Sequence, residues 1–88
     1  MSDLITHPNI GRVLEKKLNQ AGISSIEKLR TIGAEEALLK IKKDLDPGAC
    51  FNMLCALEGA IQGIRWHHLS STRKKQLKEF LDRVHHEI

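Results

Sequence analysis

Aromatic side chains are nearly missing from this sequence. Among 88 residues there is no tyrosine, and only Phe51, Trp66 and Phe80 carry aromatic rings. The core must therefore be aliphatic, and a platform that stacks successive bases of a single strand lacks the rings it needs. Long apolar runs are missing too. None approaches the roughly 18 residues of a membrane span, and Met1-Ser2-Asp3 is followed by only two apolar residues, unlike a signal peptide. A cytoplasmic chain with no membrane role is expected. Cysteine is limited to Cys50 and Cys55. On a helix, a spacing of five sets them roughly 140° apart, the wrong geometry for a disulfide. Free buried thiols in a reducing compartment are expected.

Catalytic signatures are also lacking. No Gly-x-Ser-x-Gly, P-loop or clustered carboxylate pair occurs, so an enzyme with a small-molecule substrate is not expected. His67-His68 and His85-His86 are adjacent pairs that point different ways on a helix, and no Cys-x-x-Cys or His-Glu-x-x-His accompanies them. No metal site and no cofactor follow. Strand signals fail as well, because β-branched runs and Asn-Gly or Asp-Gly turns are absent.

What is present is helical periodicity punctuated by glycine. A first helix is expected from Asn9 or Ile10, with Ile10, Val13, Leu14 and Leu18 as its apolar stripe and Gly22 as its stop. A second runs from about Ser25 to Ile32. Ser24-x-x-Glu27 reads as its capping box, and Ile26, Leu29 and Ile32 point inward. Gly33 then breaks the chain. A third helix spans about Ala34 to Leu45, with Leu38, Ile41 and Leu45 on one side. Its acidic Glu35-Glu36 start and basic Lys42-Lys43 end suit the helix dipole. Asp46-Pro47 reads as the cap and first residue of a fourth helix reaching Ile64, apolar over more than half its circumference. Its Gly59, Ala60 and Gly63 leave room for a neighbouring helix. Residues 65–69 form a link, with Trp66 weighed between sealing the core edge and marking a partner site. Ser70-Ser71-Thr72 then cap a fifth helix whose inner side holds Leu77, Phe80, Leu81, Val84 and Ile88. Ile10-Gly11 and Ile32-Gly33 echo one another 22 residues apart, like two successive helix-hairpin-helix corners. The expected fold is all-α: one domain over residues 1–88, a compact bundle of about five short helices, with residues 1–7 as a short lead-in.

The charge is uneven. Residues 1–64 hold 8 Lys/Arg against 8 Asp/Glu, whereas residues 65–88 hold 6 against 3, so the whole net charge of +3 lies in the last segment. Two candidate phosphate contacts follow. Gly11 and Arg12, with Lys16 and Lys17 behind them, would offer backbone N–H groups and cations at the first corner. Arg73, Lys74, Lys75 and Lys78 form the densest cation cluster and are expected on the outer side of the fifth helix, where three or four phosphate contacts would support only weak, salt-dependent DNA binding. Both sets also read as ordinary solvated faces.

One resemblance gathers these pieces. The order Pro8-Asn9-Ile10-Gly11, Leu14, Leu18, Gly22-Ile23, Ser25, Leu29, Gly33-Ala34, Ala37, Asn52-Met53-Leu54, Ala56-Leu57-Glu58-Gly59-Ala60-Ile61, Gly63 and Trp66-His67 strongly resembles the C-terminal domain of the TfoX/Sxy family, bacterial regulators of DNA competence. The resemblance covers roughly residues 4 to 82. It implies a helix-hairpin-helix or SAM-like helical bundle standing without the family's N-terminal domain. The first half also resembles the DNA-contacting C-terminal domain of the bacterial RNA polymerase alpha subunit. What the resemblance implies is a non-enzymatic regulatory or adaptor module that docks a protein partner or a second copy of itself. The alternative is a weak, non-specific DNA-binding module.

Overall fold

The computed structural model describes residues 3–86. Four α-helices follow one another: α1 (Arg12–Gln20), α2 (Ile26–Asp44), α3 (Phe51–Gln62) and α4 (Ser71–His86). Single 3-10 turns occupy Leu4–Thr6 and Trp66–His68, and no strand occurs among the described residues. The expected all-helical bundle is therefore present with four helices rather than five. Its Cα radius of gyration is 12.0 Å, as expected from the scaling for a compact chain of this length.

The expected second and third helices meet directly at Gly33, where the expected break occurs, and they count as one element only because no loop separates the two helical arms. That residue has φ 86° and ψ 161°, a combination essentially closed to side chains with a Cβ. One residue turns the chain with no connecting loop. Gly11 does not repeat this geometry. It is the extended N-cap of α1, with φ −92°, so the two Ile-Gly dipeptides are not equivalent corners.

Helix starts shift for identifiable reasons. Asn9 has φ 70°, so α1 cannot begin there and starts at Arg12. Ser25, not Ser24, caps α2, with its hydroxyl accepting from the Lys28 N–H at 3.1 Å. The lead-in adds a second cap, because an Asp3 carboxylate oxygen accepts from the Ile26 N–H at 2.9 Å. Asp46 does not open α3. Its side chain accepts from the Gly48 N–H at 3.0 Å, closing a local turn of the kind Asp favours. α3 instead starts at Phe51, with exposed Cys50 as its extended N-cap. Of the two expected buried thiols, only Cys55 is buried. Burial pushes the Cys55 thiol up from its ordinary value, so it is held as the neutral thiol.

The core is aliphatic. Leu4, Leu18, Leu29, Leu38, Ile41, Leu54, Leu57 and Leu77 are fully buried, and burying each such side chain contributes about 1.5–3 kcal/mol. α3 packs against α2, the Trp66 turn and α4, which makes it the central helix. Three described stripe positions fall outside this core: Val13 is 71% exposed, Leu45 is 37% exposed, and Val84 is half-buried but not packed against it. Ile88 lies outside the described residues. Gly59 is not a seat for a neighbouring helix. A Cβ there would meet the Asn9 amide nitrogen, Ile64 O at 2.8 Å and Trp66 Cα at 3.2 Å, so a loop and a side chain occupy that space. Gly63 ends α3 in the left-handed conformation.

Candidate functional site

Trp66 sits on a short turn whose backbone is fixed from several sides. The Ile64 N–H donates to Gly59 O at 2.9 Å, tying the turn to the end of α3. Asn9 reaches across from the opposite end of the chain. Its Nδ2 donates to Ile64 O at 2.9 Å and to Ala56 O at 3.4 Å, and its Oδ1 accepts from the Trp66 N–H at 3.1 Å. Asn tolerates the left-handed backbone better than most side-chain-bearing residues, and that conformation places this amide between two segments. Leu69, 4% exposed, anchors the far end of the turn.

On this pedestal Trp66 is 43% exposed. Its edge meets His67, with centroids 5.4 Å apart and planes at 89°, and His67 meets His68 at 4.7 Å and 73°. Trp66 is thus partly exposed, with the rest of the residue covered by its own chain. An exposed indole on a rigid backbone offers large contact area at low ordering cost, as partner-binding anchors do.

The candidate cations separate into engaged and exposed groups. Arg73 turns inward, against the expectation of an outer face. Its guanidinium pairs with Glu58 at 2.9 Å and Glu35 at 3.0 Å. The Glu58 bond raises the Arg73 pKa further above its already high value, against the opposing effect of burial and with help from Glu35. Burial pushes the Glu58 carboxyl upward, but hydrogen bonds from Arg73 and Gln62, together with the Arg73 charge, outweigh it and hold the pKa below the ordinary value. This triad ties α4 to α3 and to the second arm of α2. Lys17 pairs with Asp46 at 2.8 Å. That hydrogen bond lowers the Asp46 pKa, with Gly48 assisting against slight burial. Lys74 Nζ donates to His67 O at 3.4 Å. Arg12, Lys16, Lys75 and Lys78 are exposed, as is the backbone at Gly11.

Asn9 and Glu58 escaped sequence reasoning. Asn9 had a readable signal, an Asn between Pro and Ile-Gly where a left-handed residue is common. Glu58 had another, as the one acid inside an otherwise apolar helix. Among the described residues, no group of three His, Cys, Asp or Glu is placed to hold a metal ion. Likewise, no helix is long and apolar enough to cross a membrane.

Comparison with known proteins agrees with this architecture. A family model described as the TfoX C-terminal domain matches residues 1–81. The chain is 35% identical over 77 residues to the DNA transformation protein TfoX of Haemophilus influenzae; the match covers 88% of this chain and 35% of that protein. The chain therefore spans about a third of the length of that relative. Two crystal structures from Listeria monocytogenes, of an uncharacterized protein in a triclinic form and of a protein of unknown function in a tetragonal form, are each 45% identical. They superpose with TM-scores of 0.90 and 0.89, covering 93% of this chain and 92% and 99% of theirs.

Proposed function

The chain belongs to the TfoX C-terminal domain family, and on that premise we propose that it is a non-enzymatic regulatory module that acts in the cytoplasm by docking a protein partner. The observation that carries this reading is Trp66, 43% exposed on a turn locked by Asn9. The exposed part of this indole, held in water by a rigid backbone, costs solvation, and a partner's pocket would recover that area. On the same reading, α1, the Gly22 corner and the first arm of α2 form a hairpin of the helix-hairpin-helix or SAM-like type. The partner is a regulator or a second copy of the chain. The link to competence rests on the family and on the named relative.

Trp66→Ala tests the reading. Pull-downs and light scattering with the wild-type chain are expected to show a retained partner or a dimer, and the variant to lose it while still melting as a folded domain. A strict monomer that captures the same proteins with or without Trp66 refutes it.

Weak, non-specific DNA binding is the second reading, favoured by the exposed Arg12, Lys16, Lys75 and Lys78 and by the open backbone at Gly11. It is the weaker of the two because the Arg73 and Lys17 charges already serve carboxylates of this chain. The test is titration against duplex DNA at two salt concentrations. Few phosphate contacts predict a shallow salt dependence, and no binding at low salt removes this reading.

A further inference from the structure

The groove between the start of α1 and the start of α3 is a surface separate from the Trp66 turn. Val13, Leu14 and Met53 form its apolar floor, Arg12 and Lys17 rim it, and its volume is about 440 Å³. Leu14 and Met53 are half-buried against the core, and Val13 is 71% exposed. Among the described residues, no burial accounts for that valine. A β-branched residue is a poorer helix former than Ala, Leu or Lys, and at this exposure burial contributes little. Val13 also continues the core stripe of Ile10, Leu14 and Leu18 out to the surface.

The charge around the groove leans positive: Arg12, Lys16 and Lys17 stand against Glu15 and Asp46. Lys16 and Lys17 stand three and four residues after Val13, as its neighbours on the same helix face, and Arg12 precedes it. The neighbouring carboxylates are Asp46, paired with Lys17, and Glu15, which is itself engaged. Arg12 and Lys16 leave a positive excess beside apolar surface.

We propose that this groove binds an acidic amphipathic helix of a partner protein, whose apolar anchors cover Val13, Leu14 and Met53 and whose carboxylates meet Arg12 and Lys16. Helix-in-groove recognition places anchors at such spacings, and opposite charges at the rim set orientation and encounter rate. Duplex DNA would satisfy the cations but has no apolar side chains for the floor. A second copy is disfavoured by its own sequence. α1, α2 and α4 each hold more Lys and Arg than Asp and Glu, and the single carboxylate of α3, Glu58, is buried.

The experiment titrates the ¹⁵N-labelled chain with a synthetic helix of Leu, Ala and Glu. A matched peptide with Lys for Glu and a short duplex DNA serve as comparisons, each at low and physiological salt. The acidic peptide is expected to shift the amide signals of Val13, Leu14 and Met53, and to bind less tightly as salt rises. Val13→Glu is expected to weaken binding by about tenfold or more, because it buries a charge in the groove. Arg12→Glu with Lys16→Glu is expected to weaken it by roughly tenfold through two rim charges. All three positions are exposed, so both variants should melt like wild type. Equal binding of the Lys peptide overturns the proposal. So does DNA producing the same groove shifts, and so do concentration-dependent groove shifts without peptide, which would assign the groove to a second copy. No groove shift with the acidic peptide also overturns it. The Trp66→Ala pull-down is unaffected by any of these outcomes, so the two readings fail separately.

Discussion

Gly59→Ala separates close packing from helix propensity by the sign of its effect. Gly59 lies within α3. At a helix position with open space, Gly→Ala stabilises by about 1 kcal/mol. Here the added methyl would meet Asn9 Nδ2, Ile64 O at 2.8 Å and Trp66 Cα at 3.2 Å. The Asn9 amide can rotate away, but only by giving up its bonds to Ile64 O and the Trp66 N–H. The Ile64 carbonyl cannot easily move, because the neighbouring Ile64 N–H is bonded to Gly59 O at 2.9 Å. Overpacking of this kind costs typically about 1–3 kcal/mol, and two lost hydrogen bonds add about 1 kcal/mol each. Subtracting the propensity gain of about 1 kcal/mol leaves a net destabilisation of roughly 2–4 kcal/mol. For a chain of this size that lowers Tm by roughly 4–8 °C per kcal/mol. Urea or thermal melts of the two proteins provide the measurement. An Asn9→Ala background should shrink the cost, because it removes one of the obstructing groups and leaves fewer bonds to lose. A variant that is more stable than wild type, by the roughly 1 kcal/mol that propensity alone predicts, would show that the Asn9 clamp is not closed on α3.

Two further outcomes follow from the same geometry. Arg73→Met leaves the Glu58 carboxylate buried without its cation and should cost about 2–3 kcal/mol at neutral pH, at the low end for a broken pair because the guanidinium is partly exposed. In wild type the Glu58 pKa lies below its ordinary 4.5, so its contribution is present above that value and is lost as pH falls further. In the variant burial is opposed only by the Gln62 hydrogen bond, so the pKa rises and protonation relieves the buried charge. Urea melts between pH 7 and pH 4 should therefore show the two proteins converging as the medium acidifies, and a constant gap contradicts the assignment. Gly33→Ala has free space around its new methyl, yet it should destabilise by about 1–3 kcal/mol from backbone strain alone at φ 86°, ψ 161°. A neutral result in thermal melts would mean that α2 straightens through residue 33.

The all-helical class was legible because it rests on period and punctuation, which are local. Leu29, Leu38, Leu54, Leu57 and Leu77 repeat at helical spacing and are all buried. Helix starts were less legible, because several residues compete for each cap. Ser24 and Ser25 both suit the start of α2, and only the path of the preceding chain selects Ser25. Asp46 suits either a helix cap or a local turn, and the turn wins. The candidate site was legible in part. Trp66 stood out as the single indole, but its exposure depends on how the residue 64–69 link is held. The basic helix stood out by charge, but a run of cations does not reveal which of them has a buried carboxylate waiting.

By itself the sequence determined the aliphatic helical stripes, the corners at Gly22 and Gly33, and the family signature from Pro8 to His67. These are properties of neighbouring residues, fixed by backbone sterics and side-chain period. Tertiary structure alone decided three things. Asn9 meets Gly59 and Trp66 across more than half the chain, Arg73 turns inward to Glu58 and Glu35, and Val13 faces water beside Met53. Each depends on which surfaces two distant segments present to one another, and that is set only when the whole core closes.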